Sequence, residues 1–171
     1  QFDKDLSLFV YKPYTKVSFK PDLARFGIEN ISEAMIRLFQ KRTYDIAGIT
    51  EKNIKVKYNK QLIPIKGFEQ YVDLYIGSKS ETSRSFEQAN ERWSYAICLT
   101  PNDEFVKVSF VNGICTLKGG RHVEYITNQI IKKLCAVIKK KKKMDVKSSA
   151  IKEQLMIFVN CTIENPAFES Q

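Results

Sequence analysis

The last third of the chain follows a pattern that few folds accommodate: a strand, a long helix and a second strand. Five apolar residues between Val123 and Val137 are spaced 3, 4, 4 and 3 residues apart, which predicts one long amphipathic helix. Phe105–Val111 before it alternates like a strand, and Met156–Ile163 after it is almost continuously apolar, as a strand buried on both faces would be. Because a helical crossover joins strands that run in the same direction, this β-α-β unit implies a parallel pair.

The other predicted strands lie before this unit. Trp93–Leu99 and Phe105–Val111 are separated only by the tight loop Pro101–Glu104, so they are expected to pair antiparallel. Asn53–Tyr58 and Gln61–Ile65 are predicted to form a hairpin. These elements predict an α+β fold, a two-layer mixed sheet with helices on one face.

Local signals predict several further elements. Thr15–Phe19 alternates like a strand, and Gly77–Asn90 is polar without a period, which favours an exposed connection. Short helices are predicted over Gly67–Ile76 and from Ser148 or Ser149. Ser32 is a good N-cap for a helix that runs to about Asp45, with Gly48 as a plausible stop and an apolar face that should be buried: Met35, Ile36, Leu38, Phe39 and Ile46.

Composition excludes several classes of protein. The 171 residues are 43% hydrophobic and 27% charged, with seven Gly and five Pro, which excludes collagen-like and disordered chains. No apolar stretch approaches the ~18 residues of a membrane span, so no membrane partner is expected. The cysteines stand inside apolar runs without metal-ligand spacing and are expected to be reduced and buried, and the single His122 disfavours zinc: Cys98, Cys115, Cys135 and Cys161.

Positive charge is concentrated in one place. The chain carries 28 Lys and Arg against 19 Asp and Glu, and Lys132–Lys152 alone holds nine lysines and one acid, Asp145. Such a zone attracts polyanions through its local field and counterion release. Within it, the Lys139–Lys143 run is either a solvated helix end or a site of sequence-independent phosphate contact.

The Gly119–Gly120 pair before the long helix admits two interpretations. The favoured one is backbone geometry, meaning a tight entry and close packing. An anion site at the helix N-terminus is the alternative. His122 follows in the first turn, where a neutral, packed histidine is expected rather than a ligand or a base.

Five stretches, in order, give the chain a family resemblance. Phe110–Thr116 followed by Gly119-Gly120-Arg121-His122-Val123 resembles eukaryotic-type DNA topoisomerase II, a type IIA enzyme. The similarity covers essentially the whole chain. The other four stretches are Val17–Asp22, Tyr44–Gly48, Lys66–Phe68 with Tyr71–Asp73, and Ile157–Asn160 continuing through Ile163–Gln171.

The resemblance implies a place within the N-terminal ATPase region of that enzyme. Residues 1–66 resemble the last part of the Bergerat-type nucleotide-binding domain, a remnant of its α/β sandwich. Residues 67–171 resemble the transducer domain, truncated at its C-terminal end, with the ribosomal-protein-like fold and left-handed crossover of that family. Since the chain opens at Gln1 without Met or a leader, we expect it to be a piece of a longer protein.

The resemblance also implies the site residues. Gln171 matches the Gln of the family's Gln-Thr-Lys loop, which senses the ATP γ-phosphate, so it is the one expected nucleotide contact. Lys139, Lys140 and Lys141 match a lysine loop that contacts DNA. No residue matches a catalytic or metal-binding position. ATP and magnesium are expected in the intact parent, and neither is expected on this segment, which should not hydrolyse ATP alone.

The implied function is mechanical. The segment would relay ATP binding and hydrolysis to the DNA gate during double-strand passage, with double-stranded DNA and a second copy of the protein as partners, in the nucleus. Two alternatives remain open: a non-enzymatic nucleic-acid-binding α+β module, and a transducer from another Bergerat-type ATPase such as a mismatch-repair protein.

Overall fold

A computed structural model describes residues 13–168 of the chain. The chain divides into two compact units, Gln1–Ile36 and Arg37–Gln171. In the first unit the described residues form a short 3-10 helix, Ala24–Phe26, and the first turn of a longer one. The strand predicted over Thr15–Phe19 is wrong, since residues 15–19 have no regular secondary structure and Val17 and Phe19 are 82% and 86% exposed.

Helix α1, Glu33–Ile49, begins at the predicted cap, where the Met35 amide donates to Ser32 Oγ at 3.3 Å. The prediction of its buried face is wrong. The five side chains of that predicted face are 38–51% exposed, and the helix instead buries Asp45, Ala47 and Gly48. The small residues of the opposite side therefore make the close contact. The exposed set is Met35, Ile36, Leu38, Phe39 and Ile46.

The predicted hairpin is present but short. Strands β1, Lys57–Tyr58, and β2, Gln61–Leu62, pair antiparallel around Asn59 and Lys60, which have φ values of 47° and 69°. Positive φ at both central residues is the geometry of a tight two-residue hairpin turn. Helix α2, Phe68–Ile76, follows as predicted and begins after Gly67.

A mixed five-stranded sheet forms the centre of the second unit. Its order is β3-β4-β7-β5-β6, with β5 parallel to β7 and every other pair antiparallel. The continuous apolar run is the middle strand, as its pattern predicts, and the parallel pair and the α+β class are confirmed. The strands are β3 Arg84–Asn90, β4 Trp93–Leu99, β5 Val106–Val111, β6 Ile114–Cys115 and β7 Leu155–Cys161.

Two expectations about this sheet are wrong. Strands β4 and β5 do not pair, because β7 lies between them and hydrogen-bonds to both. The segment Gly77–Asn90 is not wholly a connection, because Arg84–Asn90 forms the edge strand β3. A strand that is buried on both faces excludes more apolar surface from water at the centre than at an edge, which is why the later strand separates its neighbours.

Helices cover both faces of the sheet rather than one. Helix α3, Arg121–Lys142, and helix α4, Ser148–Glu153, pack on the face that carries Ile157 and Val159. Helix α2 packs on the opposite face, against Phe158. The four cysteines are free, and Cys98 and Cys161 are buried as predicted, whereas Cys115 and Cys135 are only half-buried. The left-handed crossover and the domain boundary after residue 66 stay predictions.

Candidate nucleic-acid interface

The predicted DNA-contacting lysines form the end of α3. Lys139–Lys142 make its last turn, and Lys143 is its C-cap in the left-handed conformation, with its amide bonded to the Lys139 carbonyl at 2.9 Å. The run is therefore helical and not a loop. Cations at this end stabilise the helix, since its carbonyl ends carry partial negative charge.

The helix sets the directions of the three matched lysines. Successive residues turn by about 100°, so Lys139, Lys140 and Lys141 fan over about 200° around the axis. Lys139 Nζ lies 2.9 Å from Asp145 Oδ1, and both side chains are exposed, at 68% and 82%. An ion pair so exposed contributes little, and a phosphate can replace the carboxylate. The three lysines present a rounded cationic end, without interleaved aromatic residues.

The Gly119–Gly120 pair serves packing, as favoured above. A Cβ on Gly119 would lie 2.8 Å from the Lys107 side chain, and one on Gly120 would lie 3.2 Å from the His122 ring. The two residues have φ values of 81° and 146°, which glycine adopts most readily. The positive φ values and the close neighbours agree with the favoured interpretation, a tight entry into the helix.

His122 belongs to a buried hydroxyl network. Its Nε2 lies 3.1 Å from Thr116 Oγ1, which in turn lies 2.6 Å from Ser109 Oγ. Burial lowers the pKa of His122 below its usual value, so the ring is neutral at pH 7. It is the packed, neutral histidine that the sequence predicts.

Gln171, the expected nucleotide contact, lies outside the described residues. Between residues 13 and 168, no three His, Cys, Asp or Glu side chains gather as a metal site requires.

A polar cluster between α1 and α2 escapes sequence analysis. The Tyr71 hydroxyl donates to Asp45 Oδ1 at 2.7 Å and lies 2.9 Å from the Tyr75 hydroxyl. Asp45 Oδ2 accepts from Lys41 at 2.7 Å and from Arg42 at 3.1 Å. The Asp45 side chain is 4% exposed, so it is a buried carboxylate, and it has three polar partners within one turn of each helix. Only the i,i+4 spacing of Lys41 and Asp45 hints at it in sequence.

Known proteins share the sequence and the fold of this chain. The family model of DNA gyrase B matches residues 67–171, and the chain belongs to that family. The ATPase region of Saccharomyces cerevisiae topoisomerase II superposes with a TM-score of 0.79 at 41% identity, over 90% of this chain and 38% of that one.

The sequence relatives indicate the eukaryotic branch of the family. The chain is 45% identical to DNA topoisomerase 2-alpha of Mus musculus over 99% of its length, and 44% identical to DNA topoisomerase 2 of Arabidopsis thaliana over 92%. It is thus homologous to the ATPase region of eukaryotic DNA topoisomerase II, as the resemblance predicts. The chain spans 11% of the length of each of these relatives.

Proposed function

We propose that this chain is the part of a type IIA DNA topoisomerase that relays ATP binding and hydrolysis to the DNA gate during double-strand passage. The single observation that carries the proposal is homology to topoisomerase II over nearly the whole of this chain, at 44–45% identity. That homology also favours this function over a free-standing nucleic-acid-binding module or a mismatch-repair transducer.

The relay role rests on how the sheet is built. Strand β7 joins both halves of the sheet, and α3 leads from β6 to the connection before it. A movement of α3 is therefore transmitted to the central strand through their shared core, which includes Ile131, Ile157 and Val159. Tightly packed cores shift as units and do not deform gradually, and a relay needs that property.

The remaining partners follow from the parent enzyme. ATP and magnesium act in the parent, and Gln171 is the residue of this chain proposed to approach the nucleotide. A second copy completes the homodimer, and the enzyme works in the nucleus. None of the described helices is long and apolar enough to cross a membrane. The proposal gives residues 13–168 no contact with the nucleotide.

Lys139, Lys140 and Lys141 are proposed to contact duplex DNA through its phosphates. Changing all three to Gln should reduce the slope of log K against log salt by about 2.7, at about 0.9 per phosphate contact. The measurement is fluorescence anisotropy of the 171-residue chain with a labelled duplex at several salt concentrations. The change should be equal for unrelated duplex sequences, because backbone contacts do not discriminate between bases.

The matched control removes the same charge elsewhere. Lys55, Lys57 and Lys60 are exposed lysines at the β1–β2 hairpin, far along the chain from α3. Their triple Gln variant should keep the slope of the unmodified chain. Equal slopes for both triple variants would rule out specific contact by the lysine run.

A further inference from the structure

A second cationic feature lies between α3 and α4. A groove of about 430 Å³ separates these helices, and its lining combines two lysines, neutral polar side chains and no carboxylate. The nearest acids along the two helices, Glu124 and Glu153, are not among the lining residues. The lining is Asn128, Ile131, Lys132, Cys135, Ser148, Ser149 and Lys152.

The two groove lysines are both exposed but are positioned differently. Lys152 Nζ lies 5.0 Å from the centre of the Phe105 ring, a cation–π contact that restrains the ammonium group beside the groove. Lys132 is exposed on α3. Within residues 13–168 neither forms an ion pair, whereas Lys139 does. Two unneutralised ammonium groups that share one groove favour an anion between them.

The groove also lines up with the lysine run. Lys132 and Lys139 are seven residues apart, so they lie on nearly the same side of α3, about 10 Å apart along its axis. Asn128 lies one turn before Lys132 on that side. The α4-facing side of α3 thus carries a row of donors that ends in the lysine run.

We propose that this groove binds a backbone phosphate of duplex DNA, held by Lys132 and Lys152 and hydrogen-bonded by Asn128 and Ser149. The inference rests on the proposed function, since it extends the DNA contact of the lysine run along the same helix. Duplex DNA is the occupant because it presents phosphates in a regular row, which matches a row of cations where a single small anion would not.

The first test removes the groove lysines. The variant Lys132→Gln/Lys152→Gln should lower the salt slope by about 0.9, the value of one lost phosphate contact, with the lysine run intact. The control Lys55→Gln/Lys57→Gln removes equal charge and should leave the slope unchanged. The charge-retaining variant Lys132→Arg/Lys152→Arg should also keep the slope, and circular dichroism checks that every variant is folded.

The second test separates a built site from a diffuse field. Asn128→Ala/Ser149→Ala changes no charge, so it should lower affinity at fixed salt about tenfold without changing the slope, as two lost hydrogen bonds of low net value would. A diffuse field predicts full affinity for this variant. Full affinity would therefore overturn the groove as a binding site.

The outcomes distinguish the inference from the function on which it rests. If the groove pair matches its control while the lysine-run triple loses slope, the groove inference is wrong and the proposed DNA contact stands. If the groove pair loses slope and the triple does not, the groove is the DNA site and the lysine run is not. If the unmodified chain does not bind duplex DNA, both are wrong.

Discussion

The buried carboxylate Asp45 makes one prediction that can be worked out from distances. The Tyr71 hydroxyl donates to it at 2.7 Å, so the hydroxyl of Tyr75, at 2.9 Å, must donate to the Tyr71 oxygen. Tyr71 is 1% exposed and Tyr75 is 41% exposed. Burial, together with the hydrogen bond that it donates to the Asp45 carboxylate, raises the pKa of Tyr71 well above its ordinary value, so the hydroxyl keeps its proton at any working pH.

Removing each hydroxyl should therefore have unequal effects. Tyr71→Phe deletes a hydrogen bond to a charged, buried acceptor, which should cost about 2–3 kcal/mol of unfolding free energy. Tyr75→Phe makes the same chemical change one turn away, where water can take the lost bond, and should cost about 0.5 kcal/mol. Lys41 and Arg42 still neutralise Asp45 in both variants.

The assay is urea unfolding of the chain at pH 7, followed by circular dichroism, with equal m-values as the check that only stability has changed. In an Asp45→Asn background the acceptor is neutral, so the cost of Tyr71→Phe should fall to about 1 kcal/mol. Equal costs for the two Phe variants, or no change in the Asn background, would refute the charged-acceptor reasoning.

Two further predictions concern close packing and protonation. Gly48→Ala should destabilise by about 1–2 kcal/mol in the same urea assay, because the new Cβ would lie 2.5–2.7 Å from three Tyr71 side-chain atoms and the strain exceeds the ~1 kcal/mol that Ala gains in a helix. An unchanged or raised midpoint would contradict this. His122 has a lowered pKa when folded, so below about pH 6.5 the unfolded chain takes up a proton that the folded chain does not, and stability should fall by up to ~1.4 kcal/mol per pH unit. His122→Gln should flatten stability between pH 7 and 5.5, and an unaltered profile would argue against a buried neutral ring.

Sequence predicts the elements of this fold better than their pairing. The apolar run of β7 and the apolar stripe of α3 are strong sequence signals. Burial on both faces leaves a continuous apolar run, and burial along one side of a helix leaves apolar residues every three or four positions. Edge strand β3, Arg84–Asn90, leaves none, since most of its residues are exposed. The pairing of β4 with β5 was the natural choice from their short loop. It failed because pairing depends on which strand excludes most water, and that is decided by a segment more than 40 residues later.

The same limit applies to the candidate site. The lysine run is visible as charge, and its match to the family's DNA-contacting loop comes from resemblance. That Lys139, Lys140 and Lys141 point in different directions follows only once the run is known to be helical. The groove residues Lys132 and Lys152 are 20 positions apart and meet because α4 packs beside α3. Gln171 lies outside the described residues, so the expected nucleotide contact stays a prediction.

The helical state of the lysine run has a mechanical consequence. The buried residues of α3 lie between His122 and Ile131, half-buried contacts with the same core continue to Ile138, and the four residues from there to Lys142 extend the helix by about 6 Å. A flexible loop carrying the same charges would absorb a pull from DNA by bending. A helix anchored at one end instead passes that pull to its buried half, and from Ile131 to the central strand through Ile157 and Val159. A force from DNA held at the lysine run would therefore reach the sheet itself. The mechanical coupling between the lysine run and β7 would weaken if α3 were broken between its lysine end and its buried end.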